Sequence, residues 1–244
     1  MKRVLVLLWV LVGLLGVDAW AVSVEFQENT FMPEKGVTSR RLILKNVSND
    51  PEAQEILMFK RSHEIDGTEV RTDASSEFLV YPSQVVLMPG ERKVITVLWT
   101  GEKKLTETQA YRLQVKQANL NELDESDDAP KIQIVVLTNY TKSVYVSPPG
   151  AKANLFVESS QRNDEENTLE VILKNDGNDY REVYAQGITI KQDGEKDIKL
   201  HVVEEEDKAF VVLPNEQRRL SFSWPRRLKH DATYTVLLNE GAKQ

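Results

Sequence analysis

The chain has 244 residues, with 31 Lys and Arg against 38 Asp and Glu and a net charge of -7. So acidic a chain lacks the basic footprint of a non-specific nucleic-acid binder, and 41% hydrophobic with 28% charged residues is globular rather than disordered. It contains no cysteine, which excludes disulfides, thiol catalysis, zinc–thiolate sites and thiol redox function.

The first 21 residues, MKRVLVLLWVLVGLLGVDAWA, place Lys2 and Arg3 before an apolar run from Val4 to Val17 and close on Ala19-Trp20-Ala21. That is the pattern of a secretory signal peptide cleaved after Ala21. The run is shorter than the roughly 20 residues that span a bilayer. An exported chain without disulfides must be held by its apolar cores alone.

From Val22 onward almost every segment reads as a β-strand, because short apolar or alternating runs are separated by Asn, Asp, Gly and Pro clusters. In chain order the expected strands are Val22–Phe31, Ser39–Asn46, Gln54–Arg61, Glu77–Tyr81, Lys93–Thr100, Tyr111–Gln117 and Lys131–Ser147. They continue with Asn154–Ser159, Thr168–Asn175, Arg181–Ile190, Ile198–Val203, Ala209–Leu213, Arg219–Trp224 and Tyr234–Asn239. The expected class is all-β, built from immunoglobulin-like sandwiches.

The chain repeats itself in order. LILKNVSND at Leu42–Asp50 returns as VILKNDGND at Val171–Asp179, and LMPGERKVITVLW at Leu87–Trp99 returns as VLPNEQRRLSFSW at Val212–Trp224. QAYRLQV at Gln109–Val115 is echoed by DATYTVLL at Asp231–Leu238, so the offsets are 129, 125 and 123 residues. Three ordered matches at nearly one offset read as two copies of one domain of about 100 residues. Pro148 and Pro149 make a stiff extended link, and Gly150 permits a sharp turn after it. The expected organisation is a signal peptide at 1–21, one sandwich at 22–147, a Pro-rich elbow and a second sandwich at 148–244. Trp99 and Trp224 each close an apolar strand and are expected as core anchors. Tyr111 and Tyr234 are candidates for a tyrosine corner or for ordinary half-buried strand positions.

No catalytic or metal constellation stands out. His63, His201 and His230 lie far apart without partners at ligand spacing, and are expected as surface polar residues. There is no G-x-S-x-G elbow, phosphate loop or H-E-x-x-H, so no enzyme, metal or cofactor is expected. The acidic runs Glu122–Asp128 and Glu204–Asp207 lack the glycine and spacing of a calcium loop and read as solvated loops. Asn46-Val-Ser48 and Asn139-Tyr-Thr141 match the glycosylation sequon, a pattern common by chance.

Binding is the stronger expectation. KIQIVVLTNYTKSVYVSPPG at Lys131–Gly150 is a long apolar β-segment directly after the acidic NELDESDDAP. Its alternation sets Ile132, Ile134 and Val136 on one face, suited to edge-on pairing with a partner strand or to the chain's own core.

At this point the chain resembles the periplasmic chaperones of pilus and fimbrial assembly, over nearly all of the mature length. FLVYPSQVVLMPGERKVITVLW at Phe78–Trp99 is similar to their strand-Pro-x(5)-Leu/Pro-Gly signature, and KIQIVVLTNYTKSVYVSP looks like their long last strand of domain one. The resemblance implies two immunoglobulin-like domains set in an L, a periplasmic location, no cofactor and no catalysis. It implies pilus subunits as partners, an outer-membrane usher, and self-association through the donor strand as a state open to the free protein. In that family the last strand of the first domain is donated to a subunit lacking its own final strand; matched here, the donor residues are Ile132, Ile134 and Val136. Family members of the best-known branch grip the subunit's C-terminal carboxylate with an Arg of the first strand and a Lys of the last. VSVEFQENTF has no basic residue, and Lys142 falls two positions late, so that a bulge is needed. Arg40 or Arg41 of the next strand are the substitutes. These departures imply a divergent branch; the other reading is a secreted two-domain immunoglobulin-like adhesion or structural module.

Overall fold

The described residues of the first half of the chain form ten strands. They are β1 (Val22–Glu25), β2 (Thr30–Phe31), β3 (Ser39–Asn46), β4 (Glu52–His63), β5 (Glu69–Asp73), β6 (Phe78–Tyr81), β7 (Gln84–Leu87), β8 (Arg92–Trp99), β9 (Gln109–Ala118) and β10 (Asn139–Val146). The computed structural model describes residues 22–118, 139–184, 187–192, 196–200, 209–228 and 233–238. β1, β3, β8 and β6 make one sheet; β2, β10, β9, β4 and β5, with β7 on β4, make the facing one. Period-two alternation drives the packing. Leu42 and Leu44 of β3, Ile95 and Val97 of β8, and Tyr111 and Leu113 of β9 are fully enclosed, while Arg41 and Lys45 flanking the leucines and Thr96 between Ile95 and Val97 face out. Phe31, Phe78, Trp99 and Tyr111 meet edge to face, with Phe78 4.9 Å from Tyr111 and 5.0 Å from Trp99 between ring centres. Edge-on contact suits aromatic quadrupoles and adds about 0.5–1.5 kcal/mol per pair beyond burial.

The second half forms β11 (Leu155–Asn163), β12 (Thr168–Asn175), β13 (Arg181–Tyr184), β14 (Ile188–Lys191), β15 (Ile198–Lys199), β16 (Ala209–Val212), β17 (Gln217–Ser223) and β18 (Thr235–Leu238). They pair as β11-β12-β17, β13-β16 and β15-β14-β18 around a core of Leu169, Val171, Leu173, Ile188, Ile190, Phe222 and Trp224. Apart from one 3-10 turn at Pro33–Lys35, every described regular element is a strand, and no ladder among them joins the two groups of strands. The fold is all-β, two β-sandwiches, as the sequence leads one to expect.

The internal repeat has a physical basis. Asn46 Nδ2 donates to the carbonyls of Asp50 (2.7 Å) and Leu87 (2.9 Å), and its Oδ1 accepts from the Ser48 amide (2.8 Å). Asn175 Nδ2 donates to the carbonyls of Asp179 (2.7 Å) and Val212 (3.1 Å), and its Oδ1 accepts from the Gly177 amide (3.1 Å). Each Asn ends a strand and staples the turn after it to the Pro-containing turn that opens β8 or β17. Gly90 and Asn215, at the same place in those turns, both have positive φ, 75° and 63°. Trp99 and Trp224 are both buried, with each indole N–H on a backbone carbonyl, of Glu102 and Leu228. Asn46 is wholly enclosed and fully used, so the first sequon has no side chain to offer.

Several elements differ from the expected ones. Val22–Phe31 is two strands in opposite sheets, because the polar Gln27-Glu28-Asn29 crosses between them. Arg181–Ile190 divides in the same way into β13 and β14. β5 and β7 were not expected: β5 carries one apolar residue, Val70, and as an edge strand has no core face to advertise. Tyr111 is not a tyrosine corner, since its hydroxyl meets the side chains of Glu77 (3.1 Å) and Gln109 (2.6 Å) instead of upstream backbone. The acidic runs Glu122–Asp128 and Glu204–Asp207, with His201 and His230, lie outside the described residues.

Candidate binding face at the elbow

The chain meets the second sandwich through β10. Its pairing with β9 runs residue for residue from Asn139↔Lys116 to Val146↔Gln109, without a bulge. On its other edge the parallel β2 covers only Tyr145 and Val146. Among the described residues, Asn139–Val144 has no ladder partner on that edge, and only Asn29 Nδ2 reaches it, donating to the Ser143 carbonyl (3.1 Å). Among the described residues β10 is therefore an open edge for most of its length, and the segment leading into it, with Ile132, Ile134 and Val136, lies outside them.

Alternation divides β10 into two rows. Tyr140, Val144 and Val146 pack on the first core, and Lys142 belongs to this row. Ser143 and Tyr145 point to the other face, where β4, β5 and β9 supply a dense polar group. Arg61, with a side chain only 2% exposed, donates through Nη2 to the Tyr145 hydroxyl (2.8 Å). Arg112 donates through Nη1 to Ser143 Oγ (2.6 Å) and through Nε to Glu69 Oε2 (2.8 Å). Arg71 Nε also reaches Glu69 (2.5 Å), and Arg61 Nη1 lies 3.4 Å from the same carboxylate. Burial would raise the Glu69 carboxyl, but hydrogen bonds and charge from Arg112 and Arg71 outweigh it and hold it at about 2. Three guanidinium groups thus share one carboxylate, leaving two positive charges uncompensated among these four side chains. Arg61 Nε is buried without a hydrogen-bond partner.

The second sandwich closes on this face. Tyr180 stacks flat on Tyr145, 3.8 Å between ring centres and 5° from parallel, with Ala110, Val211 and Leu213 around the pair. Burial, then the neighbouring Tyr145 and the carboxylates of Asp179 and Glu182, push the Tyr180 hydroxyl up to about 12. Thr108 donates its amide to the Asn178 carbonyl (2.9 Å) and its hydroxyl to Asp179 (2.7 Å). His63, expected at the surface, is instead half-enclosed at the junction. Its amide donates to Glu216 Oε1 (2.8 Å) and its Nδ1 lies 2.9 Å from Oε2. The isolated histidine in the sequence gives no sign of Glu216, 153 residues later.

The basic candidates fall in three places. Lys142 is in the inward row of β10. Arg40, inward on β3, donates to the Thr30 carbonyl (2.9 Å), pairs with Glu28 and lies over the Phe31 ring. Because Thr30 pairs with Tyr145, Arg40 and Lys142 both lie near the β2–β10 edge. Arg41 faces solvent on the opposite sheet. Sequence reasoning missed Arg112, Arg61 and Glu69. Arg112 sits between Tyr111 and Leu113 in an expected strand, so alternation alone puts it on the outer face. Nothing in the pattern connects it to Glu69, which opens the unexpected β5. Among the described residues no three His, Asp or Glu side chains gather as metal ligands.

No protein-family profile matches the chain, and no curated protein matches it in sequence. Solved structures do. The chaperone–tip adhesion subunit complex of CsuC and CsuE, from archaic chaperone–usher Csu pili of Acinetobacter baumannii, aligns at a TM-score of 0.54 and 13% identity, over 82% of this chain and 89% of that one. The SafA pilin–SafB chaperone complex of Salmonella enterica aligns at 0.52 and 15%, over 85% and 86%. The class 5 fimbriae chaperone CfaA aligns at 0.51 and 13%, over 89% and 99%. The two β-sandwiches described above are the fold of the chaperone–usher pilus chaperones.

Proposed function

We propose that this protein is a periplasmic chaperone that binds and stabilises pilus or fimbrial subunits by donor-strand complementation and passes them on for assembly at an outer-membrane usher. The observation that carries this is the open edge of β10 from Asn139 to Val144, beside the elbow and directly downstream of Ile132, Ile134 and Val136. An open strand edge accepts an incoming strand by backbone pairing, and alternate apolar side chains then fill the partner's groove. The shared fold supports the reading, since CsuC and SafB were solved with an adhesion subunit and a pilin.

For the subunit's terminal carboxylate we favour Arg112 with Arg71 and Arg61. Their guanidinium groups outnumber the one carboxylate they share, and those of Arg112 and Arg61 donate to Ser143 and Tyr145 of β10. Lys142 points toward the core row, Arg40 is engaged by Thr30 and Glu28, and Arg41 is on the far sheet. The test is co-production with candidate pilus subunits from the same genome, followed by identification of what co-purifies. A stoichiometric pilus subunit is the expected result; no subunit retained from any candidate set would overturn the reading.

A further inference from the structure

The two copies of the repeated turn use the same glutamate differently. In the first copy Glu91 accepts from the Met88 amide (2.9 Å) and pairs with Lys93, staying within its own turn. In the second copy Glu216 keeps the matching contact with the Leu213 amide (3.3 Å), yet both of its oxygens reach His63 of the first sandwich. Two neighbours of Glu216 grip the same hairpin. The Arg219 amide donates to the Ile65 carbonyl (2.7 Å). The Arg218 guanidinium lies against Gly67, where φ is +91° and a Cβ would fall 1.2 Å from Nη1. Arg218 also contributes, after the Thr68 hydrogen bonds, to lowering the Asp66 carboxyl. The turn between β4 and β5 is therefore held from the second sandwich at His63, Ile65 and Gly67.

That hairpin carries the polar group at its base. His63 is the cross-strand partner of Glu69, and Arg61 of Arg71. We infer that Glu216 is a positioning residue which, through His63 and the β4–β5 hairpin, holds Glu69 and its arginines in register beside β10. The second sandwich then does more than flank the binding face: it sets the geometry of the group proposed above to receive a carboxylate. The inference deepens that proposal, and its test needs no subunit.

The experiment follows the Glu69 side-chain carboxyl by carbon NMR between pH 7 and pH 3.5 in the full mature chain, assigned with Glu69→Gln. The groups facing it are Arg61, Arg71, Arg112 and His63. The parent should stay ionised throughout. Glu216→Ala should raise the midpoint by roughly two units, into the titrated range, because the guanidinium groups are no longer held on the carboxylate. Glu216→Gln, which keeps an oxygen for the His63 amide, should restore part of the difference. Arg218→Ala frees the hairpin from its other side and serves where Glu216→Ala fails to fold. A parental Glu69 midpoint in every folded variant would overturn the inference. A shifted midpoint supports it whether or not any subunit binds the parent.

Discussion

Tyr145, the penultimate residue of β10, lies flat on Tyr180 across the junction, with rings 3.8 Å apart and 5° from parallel. The strand that follows the proposed donor segment is thus pinned at its end by the second sandwich, while among the described residues its other edge has no ladder partner over Asn139–Val144. Removing the ring should loosen the two sandwiches from one another. Tyr180→Ala is expected to cost about 1–3 kcal/mol and Tyr180→Phe less than about 1 kcal/mol, because the stack and its burial survive without the hydroxyl. Denaturant unfolding of the three proteins checks this. Equal midpoints for Tyr180→Ala and the parent would mean the stack contributes nothing.

Asn46 and Asn175 should be equally intolerant of change. Replacing either by Ala leaves one buried and one half-buried carbonyl without their donor, and leaves the Ser48 amide, or the Gly177 and Asn154 amides, without their acceptor. A loss of about 2–4 kcal/mol is expected at each site from the unmade hydrogen bonds. Thermal unfolding should show the two losses in different sandwiches, Asn46→Ala in the first and Asn175→Ala in the second.

This duplicated staple also shows how far the sequence can be read. Leu-Lys-Asn followed by a Pro-containing turn repeats in the chain, and the repeat led directly to two sandwiches with like turns. Alternation likewise identified β3, β8, β9 and β12, whose inward rows are strongly apolar. It failed for β5, because an edge strand of Glu-Val-Arg-Thr-Asp has no core face. It failed for the candidate binding face as well: Arg61, Glu69 and Arg112 come from three strands and meet only through sheet order. His63 and Glu216 meet only through the packing of one sandwich on the other. The elbow contacts are long-range pairings with no local period to reveal them.

The Glu69 carboxyl gives a pH signature. Its folded value near 2 lies below the ordinary 4.5, so the charged form is preferred in the folded protein. The stabilisation is fully present above the unfolded value and is lost as pH falls through about 2. Its size is on the order of 2–3 kcal/mol at neutral pH. Glu69→Gln should be less stable than the parent by that order at pH 7, and the gap should narrow steadily below about pH 4.5. A gap independent of pH would show that the carboxylate's charge is not what the arginines hold.

Arg112→Ala should weaken subunit capture without unfolding the first sandwich, since its guanidinium lies on the outer face and the core row of β9 is untouched. A loss of about 10-fold or more is expected for a charge-assisted carboxylate contact, worth about 1.5–3 kcal/mol. Lys142→Ala, on the inward row, is the comparison. Capture that falls with Lys142→Ala and not with Arg112→Ala would move the carboxylate site from the polar outer row to the core row of β10.

Donor-strand capture is most directly tested at Ile134. Three apolar donor side chains, Ile132, Ile134 and Val136, would each contribute about 1.5–3 kcal/mol of gross burial in a subunit groove, before the cost of ordering the segment. A carboxylate placed in the middle of that row cannot be buried there without a partner. The measurement is co-purification of a co-produced pilus subunit with the parent and with Ile134→Asp, after circular dichroism and thermal unfolding have shown the variant folded. The account predicts a folded Ile134→Asp protein that retains no subunit. Subunit recovered with Ile134→Asp at the parent's yield would contradict it.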